Sequence, residues 1–308
     1  MPFTLIAGRF HVVNYSPDGD SIRFAPDDPA LLGKLSGFRT RLNARGHAQL
    51  RIEAIDSLET HYNVPGGSYH QPLDLAREAA ERLLDYAGVR DVEWDRTRKT
   101  VLAAADGTPG YILSRAVEKN GRPIAFVFAG KPPEHDGATV RLEPERLRDS
   151  YNHLALSEGL AYPTYYKGLF ADLRGALTEA TEGAREAGRG VWRADGTTSG
   201  FDATGLRVIT EDVPILPKLF RRLCDYMVSF GTAVGFRDKL ARSREPVLDL
   251  RTSNFTHFDS FVEQAEGSTA IRMTRRPEEL VFDEMPQRPA NQFAALLSGD
   301  AEEAAGFA

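Results

Sequence analysis

The chain carries a single cysteine, Cys224, among 308 residues. That excludes an intramolecular disulfide framework and leads us to expect a reducing, cytoplasmic setting. Cys224 sits in the helix-like stretch LFRRLCDYM, where a buried, inert thiol is favoured over a nucleophile. No apolar run approaches the roughly 20 residues of a membrane helix. The opening MPFTLIAGRFHVV lacks a basic start, a sustained apolar core and a small-residue cleavage site, which argues against a signal peptide. There is no internal repeat, no Cys/His cluster for a transition metal and no glycine-rich Walker loop for a nucleotide. Acidic residues outnumber basic ones, 44 to 38, for a net charge of −6. This argues against nucleic-acid binding over the whole surface but leaves room for a local basic patch.

One such run is present. From Lys34 to Arg51 the chain carries Lys34, Arg39, Arg41, Arg45 and Arg51 and no acidic residue. Around it, strands are expected at 9–16, 21–25 and 48–56, the last alternating Leu50, Ile52 and Ala54 against Gln49, Arg51 and Glu53. Further strands are expected at DVEW, TVLAAA, GYILSRAV and PIAFVFAG, with the Asn-Gly of EKNGR turning a hairpin. QPLDLAREAAERLLDYAG is an amphipathic helix whose stripe is Leu73, Ala76, Ala80, Leu83, Leu84 and Ala87. PERLRDSYNHLALSEGLA and GLFADLRGALTEATEGAREAGRG read as two more. Many short strands followed by a few helices predict an α+β fold, an OB-like five-stranded barrel with helices packed on it. The expected organisation is a barrel domain over 1–193, a small polar linker at 194–205, a C-terminal α+β domain at 206–296 and a flexible tail at 297–308.

The polar residues of the barrel half suggest a chemistry. SPDGDSIRF puts Asp18 and Asp20 at the mouth of a strand, where the plain reading is a turn. Asp56 and Glu59 follow the 48–56 strand, Arg51 lies on its polar face, and Arg122 leaves the Asn-Gly hairpin. Strand ends converge in a small barrel, so these carboxylates and guanidiniums can share one cleft. Phosphodiester hydrolysis needs that inventory: a cation, donors that match phosphate oxygens, and a base for water. Asp20, Asp56 and the carbonyl of Ser57 are oxygen donors of the kind calcium prefers. Arginine suits phosphate because its planar fork binds two oxygens and stays charged.

At these residues the sequence resembles the staphylococcal nuclease-like (thermonuclease) family, from about Arg9 to Trp192. PDGDSIRF is similar to the family's Asp-Gly-Asp-Thr strand, LRIEAIDSLETH to its Arg-(x)4-Asp-Thr-Pro-Glu-Thr segment, and EKNGRPIAFVFAG to its Lys-Tyr-Gly-Arg hairpin. NHLALSEGLAY is similar to its Asn-(x)6-Gly-Leu-Ala helix and GRGVW to its closing tryptophan. The resemblance implies a calcium-dependent nuclease acting on DNA, RNA or both. Asp20, Asp56 and the Ser57 carbonyl would hold Ca2+, with Asp18 behind them. Arg51 and Arg122 would clamp the scissile phosphate, and Glu59 would orient or deprotonate water. Lys119 would face a terminal phosphate, and Tyr165 or Tyr166 the sugar or base. The sequence departs from the pattern in two longer stretches, 25–47 and 95–117, and in three replacements. Ser57-Leu58 replaces Thr-Pro, so the backbone aiming Glu59 should be less rigid. Asn120 stands where a nucleotide-binding tyrosine is usual, and Pro123 follows Arg122 in place of glycine.

Each residue also has a plain reading. Glu59 alone is a solvated carboxylate, Arg51 alone a surface ion-pair partner. Trp192 is a core aromatic. His61 and His70 are weaker candidates for metal ligands, and His257 and Asp259, sharing a strand face, do not by themselves make a site. The alternative to an enzyme, for which unpaired strands are the expected substrate, is a non-catalytic OB module that binds nucleic acid or protein. The C-terminal extension carries no recognised motif. It is open to a protein partner, or simply packs on the barrel through PKLFRRLCDYM.

Overall fold

In the computed structural model, which describes residues 2–283, the apolar opening FTLIAGRFH is a strand, β1 (Phe3–His11), beginning upstream of the expected 9–16. Both of its faces carry buried side chains, so the alternation that marks a half-buried strand is blurred. Along the barrel half follow β2 (Arg23–Pro26), β3 (Ala48–Gln49), β4 (Arg51–Ile52), β5 (Ile55–Ser57), helix α1 (Leu73–Tyr86), β6 (Thr108–Val117) and β7 (Pro123–Ala129). Six of these strands form one sheet in the order β3-β2-β1-β6-β7-β4. Only Leu50 separates β3 from β4, so the two ends of the sheet nearly meet and it curls into a barrel-like form. Gly8 and Gly110 face each other across β1 and β6. A Cβ at Gly8 would lie 2.2 Å from the Ala25 carbonyl oxygen, and one at Gly110 2.1 Å from the Phe10 ring. The tight coil of the sheet needs the bare backbone there.

The expected strand 48–56 is broken. Ala54 adopts φ 68°, the left-handed region that costs a residue with a side chain roughly 1–3 kcal/mol. Asn152, on helix α2 (Tyr151–Ser157), holds the break by donating to the Glu53 and Ala125 carbonyls at 2.7 and 3.2 Å while accepting the Val127 N–H at 3.0 Å. The kink has a use. It keeps Arg51 in the barrel, paired beside Ile124, and sends Asp56 outward to pair with Tyr162 on β8 (Ala161–Pro163). Helix α2 is shorter than the sequence pattern suggests because Ser150, at its N-cap, accepts the His153 N–H and starts a new helix mid-run. After β9 (Tyr165–Tyr166), helix α3 (Ala171–Glu186) packs Leu173 and Leu177 into the barrel core.

The C-terminal segment is built onto this body. Helix α4 (Pro217–Phe230) starts on proline and stops at Gly231, which has φ 70°. Leu219, Phe220, Leu223, Cys224 and Met227 are buried along one side. Their core also contains Leu58, Ala76 and Tyr162 from the barrel half. Beyond lie β10 (Pro246–Asp249), β11 (Asn254–His257) and β12 (Leu280–Phe282), and β12 pairs in parallel with β9, Tyr165 opposite Val281. The 194–205 stretch, expected to be a linker, is packed. Thr197 and Ala203 are buried, Asp195 accepts the Tyr162 hydroxyl at 2.8 Å, and Phe201–Asp202 pairs with Ala270 and Ile271. Its small polar residues make buried hydrogen bonds, a use that composition alone does not distinguish from solvation. Residues 284–296 of the expected C-terminal domain, and the whole tail 297–308, lie outside the described residues.

Candidate functional site

The Asp18-Gly19-Asp20 loop is more than a chain reversal. A Cβ on Gly19 would come within 2.6 Å of Ala79 on α1 and 2.7 Å of the Ser57 Cβ, so glycine lets the loop press against both. The Tyr151 hydroxyl donates to the Gly19 carbonyl at 3.0 Å and fixes it from below. Asp18 then accepts the Asp20 N–H at 3.3 Å, and Asp20 accepts the Ser57 N–H at 3.0 Å. Burial lifts the Asp20 carboxyl well above its ordinary range, and the charges of Asp18 and Asp56 add to the lift. Burial likewise raises Asp18, with help from Glu59.

Opposite stand Asp56 and Glu59, and between them lies Arg221, from helix α4. Its Nη1 donates to Asp56 at 3.0 Å and to Glu59 at 2.6 Å, and its Nη2 to the second Asp56 oxygen at 2.7 Å. Even so, burial lifts the Glu59 carboxyl to about 7; Arg221 pulls against this, while Asp56 and Asp20 push it further up. The backbone that aims Glu59 is held without the family's proline. Buried Gln71 accepts the Glu59 N–H at 3.3 Å, returns its own N–H to the Glu59 carbonyl at 2.9 Å, and donates to the Ile215 carbonyl at 2.7 Å. The looseness expected from Ser57-Leu58 is thereby offset, with Leu58 fully buried.

The third wall is cationic. Arg51 lays its guanidinium over the Tyr166 ring, 4.3 Å from the centroid. Arg122 is positioned by Glu118, whose carboxylate accepts the Arg122 backbone N–H at 3.2 Å and its Nε at 3.1 Å, and takes the Asn120 amide at 2.9 Å. Burial works to raise Glu118, but Arg122 and these donors outweigh it and hold the carboxyl below its usual range. From the basic run, Arg41 folds its stem over Gly121 in the same hairpin, while Arg45 lies over Tyr15 and donates to the Val13 carbonyl.

Asp18, Asp20, Asp56, Ser57, Glu59, Arg51, Lys119, Arg122 and Tyr166 all line one cleft of about 370 Å³. Tyr165 does not. Its ring is fully buried and its hydroxyl pairs with Thr178 at 3.0 Å, so of the two candidate tyrosines only Tyr166 faces the cleft. Thr164 also borders it, with a buried hydroxyl that has no hydrogen-bond partner among the described residues. Through Tyr62, Lys119, Tyr166 and Arg221 the cleft runs into a second of about 790 Å³, walled by Tyr226, Phe230 and Lys239. Lys218 stands at the junction, donating to the Tyr166 hydroxyl at 3.2 Å and paired with Glu245 at 2.8 Å. Cys224 and Trp192 are buried. His70 faces the Gln71 and Thr210 carbonyls at 3.0 and 3.2 Å, a structural tie.

Sequence reasoning missed Arg221, Gln71, Glu118 and Thr164. For Arg221 there was a signal: Lys218, Arg221, Arg222 and Asp225 fall on one face of an otherwise apolar helix. Its partner, 162 residues upstream, left none. Among the described residues no three His, Cys, Asp or Glu side chains are gathered to hold an ion. The oxygen donors nevertheless suit a hard cation in kind. No helix among the described residues is long and apolar enough to cross a membrane. Comparison with protein-family models finds no match, and comparison with curated proteins finds no significant relative.

Proposed function

We propose that the chain is a nuclease that hydrolyses phosphodiester bonds in unpaired DNA or RNA. The observation that carries this reading is the meeting of Asp18, Asp20, Asp56 and Glu59 with Arg51 and Arg122 in a single cleft, after widely separated starts in the sequence. Counting 48–52 as one kinked strand gives the barrel five strands, and we read it as OB-like. Arg51 and Arg122 bind the phosphate and meet the negative charge that grows on it during attack. Each is held in place beforehand, by Tyr166 and by Glu118, so little reorganisation is needed as that charge develops. Glu59, with a carboxyl at about 7, accepts the proton of the attacking water near neutral pH. A calcium ion, when bound, supplies Lewis-acid polarisation of the phosphate; Asp20, Asp56 and the Ser57 carbonyl are the residues that would hold it. The adjoining cleft suits the rest of a single strand. Lys119 and Lys239 offer charge to its backbone, and Tyr226 with Phe230, rings 4.6 Å apart, offers faces for unpaired bases.

A second reading, a binding module without catalysis, is favoured by one observation: Glu59 is engaged by Arg221, and a carboxylate in an ion pair is a poorer base. Cleavage of labelled single-stranded DNA and RNA by purified wild type, with calcium, magnesium or chelator, decides between them. Glu59→Gln is run alongside and is expected to lose about 10²- to 10⁴-fold in rate. No cleavage by wild type, with retained binding, rejects the nuclease and leaves the module.

A further inference from the structure

Arg221 engages both oxygens of Asp56 and one of Glu59, a forked arrangement stronger than a single contact. It cannot leave by a movement of its helix. Leu219, Phe220 and Leu223 on α4 are fully buried in a core that includes Leu58 and Ala76. The guanidinium can retreat only by rotation of its own side chain, and Asp225, one turn further along the same face, lines the larger cleft as an alternative partner. Arg51, Lys119 and Arg122 line the other side of the cleft, whereas Arg221 lies between Asp56 and Glu59, so a cation drawn to these two carboxylates meets a guanidinium already there.

We propose that Arg221 is a tethered competitor of the divalent cation. The C-terminal segment places a fixed positive charge on the carboxylates that would bind metal, and so sets a low metal affinity for this chain. The inference builds on the nuclease reading for its biological meaning, but its test is a binding measurement.

The experiment is calorimetric titration of the full chain with Ca2+, comparing wild type, Arg221→Gln and Arg221→Lys, with circular dichroism to verify folding. Wild type is expected to bind with a Kd weaker than about 10⁻⁴ M, at the weak end for oxygen-ligand sites. Arg221→Gln, having lost the charge, is expected to bind about tenfold tighter or more. Arg221→Lys, which keeps the charge, stays on the wild-type side. A wild-type Kd tighter than about 10⁻⁴ M overturns the proposal whether or not the glutamine variant folds, and so does an unchanged Kd in a folded Arg221→Gln. Cleavage is scored separately. Tighter calcium binding by Arg221→Gln with no cleavage by any variant removes the nuclease reading and leaves this one. Calcium-dependent cleavage with tight wild-type binding does the reverse.

Discussion

Asp18 takes a hydrogen bond from the Asp20 amide and Asp20 from the Ser57 amide, whereas Asp56 and Glu59 take theirs from an arginine on the C-terminal helix. The two pairs share a cleft and a charge, yet they are stabilised by different means. Backbone amides are dipoles: they hold a carboxylate in position and pull its pKa down, but burial outweighs them and the Asp18 and Asp20 carboxyls rise. The guanidinium is a full charge and pulls against burial at Glu59, yet burial still lifts that carboxyl to about 7. The C-terminal half thus adds a full charge, Arg221, between two carboxylates of the barrel half. The same contrast holds among the arginines, since Arg122 is positioned by Glu118 within its own hairpin and Arg221 bridges the two halves of the chain.

The largest effect that would sharpen this contrast belongs to the barrel arginine. Arg122→Gln is expected to lower turnover by about 10²- to 10³-fold, the loss typical of one preorganised donor to a charged transition state. Steady-state kinetics on a labelled oligonucleotide measures it, and a rate within a few-fold of wild type would mean that the barrel's charges are structural only. Next comes the C-terminal half. Phe230 is 58 % exposed and packs its ring against Tyr226. Phe230→Ser is expected to weaken single-strand binding by about 1–3 kcal/mol, roughly 5- to 150-fold in Kd, as for loss of one base-stacking face. Fluorescence anisotropy reads this directly, and an unchanged Kd removes the second cleft from the substrate path.

The smallest effect is a pH dependence. If Glu59 is the base of the proposed nuclease, its carboxyl at about 7 is protonated below that pH, so the rate should climb from pH 5 to 7 and level off above. Arg221, Asp56, Asp20 and Asp18 all face this group, and Glu59→Gln should flatten the profile. The stability sign follows from the same shift. Glu59 holds its proton in the folded state at pH values where the unfolded chain, near its ordinary 4.5, has released it. Its contribution is therefore full below 4.5 and is lost as pH rises through about 7. Urea denaturation at pH 5 and pH 8 checks the direction by comparing wild type with Glu59→Gln.

Much of the cleft was legible because its parts are local. Asp-Gly-Asp ahead of a strand, an arginine on an alternating face and an Asn-Gly hairpin ending in arginine are short patterns tied to backbone geometry, and their residues do converge. Helix α1 likewise buries Ala76, Ala80, Leu83 and Leu84 on its periodic stripe. What failed was of two kinds. The break at Ala54 runs against intrinsic preference and is held by Asn152, a tertiary contact. The engagement of Arg221 depends on how the chain's two halves pack, and a helical face shows that a charge is presented without showing to whom. The one-residue ambiguity between Tyr165 and Tyr166 was settled by strand pairing, since β12 lies against β9 and the Tyr165 ring is buried.

That pairing also orders events during synthesis. The carboxylates, Arg51 and Arg122 emerge from the ribosome early, but β9 finds its partner only when Leu280–Phe282 has been made, near the end of the described chain. Until then Tyr166, on which Arg51 rests, lacks its neighbouring strand, and Arg221 arrives only shortly before it.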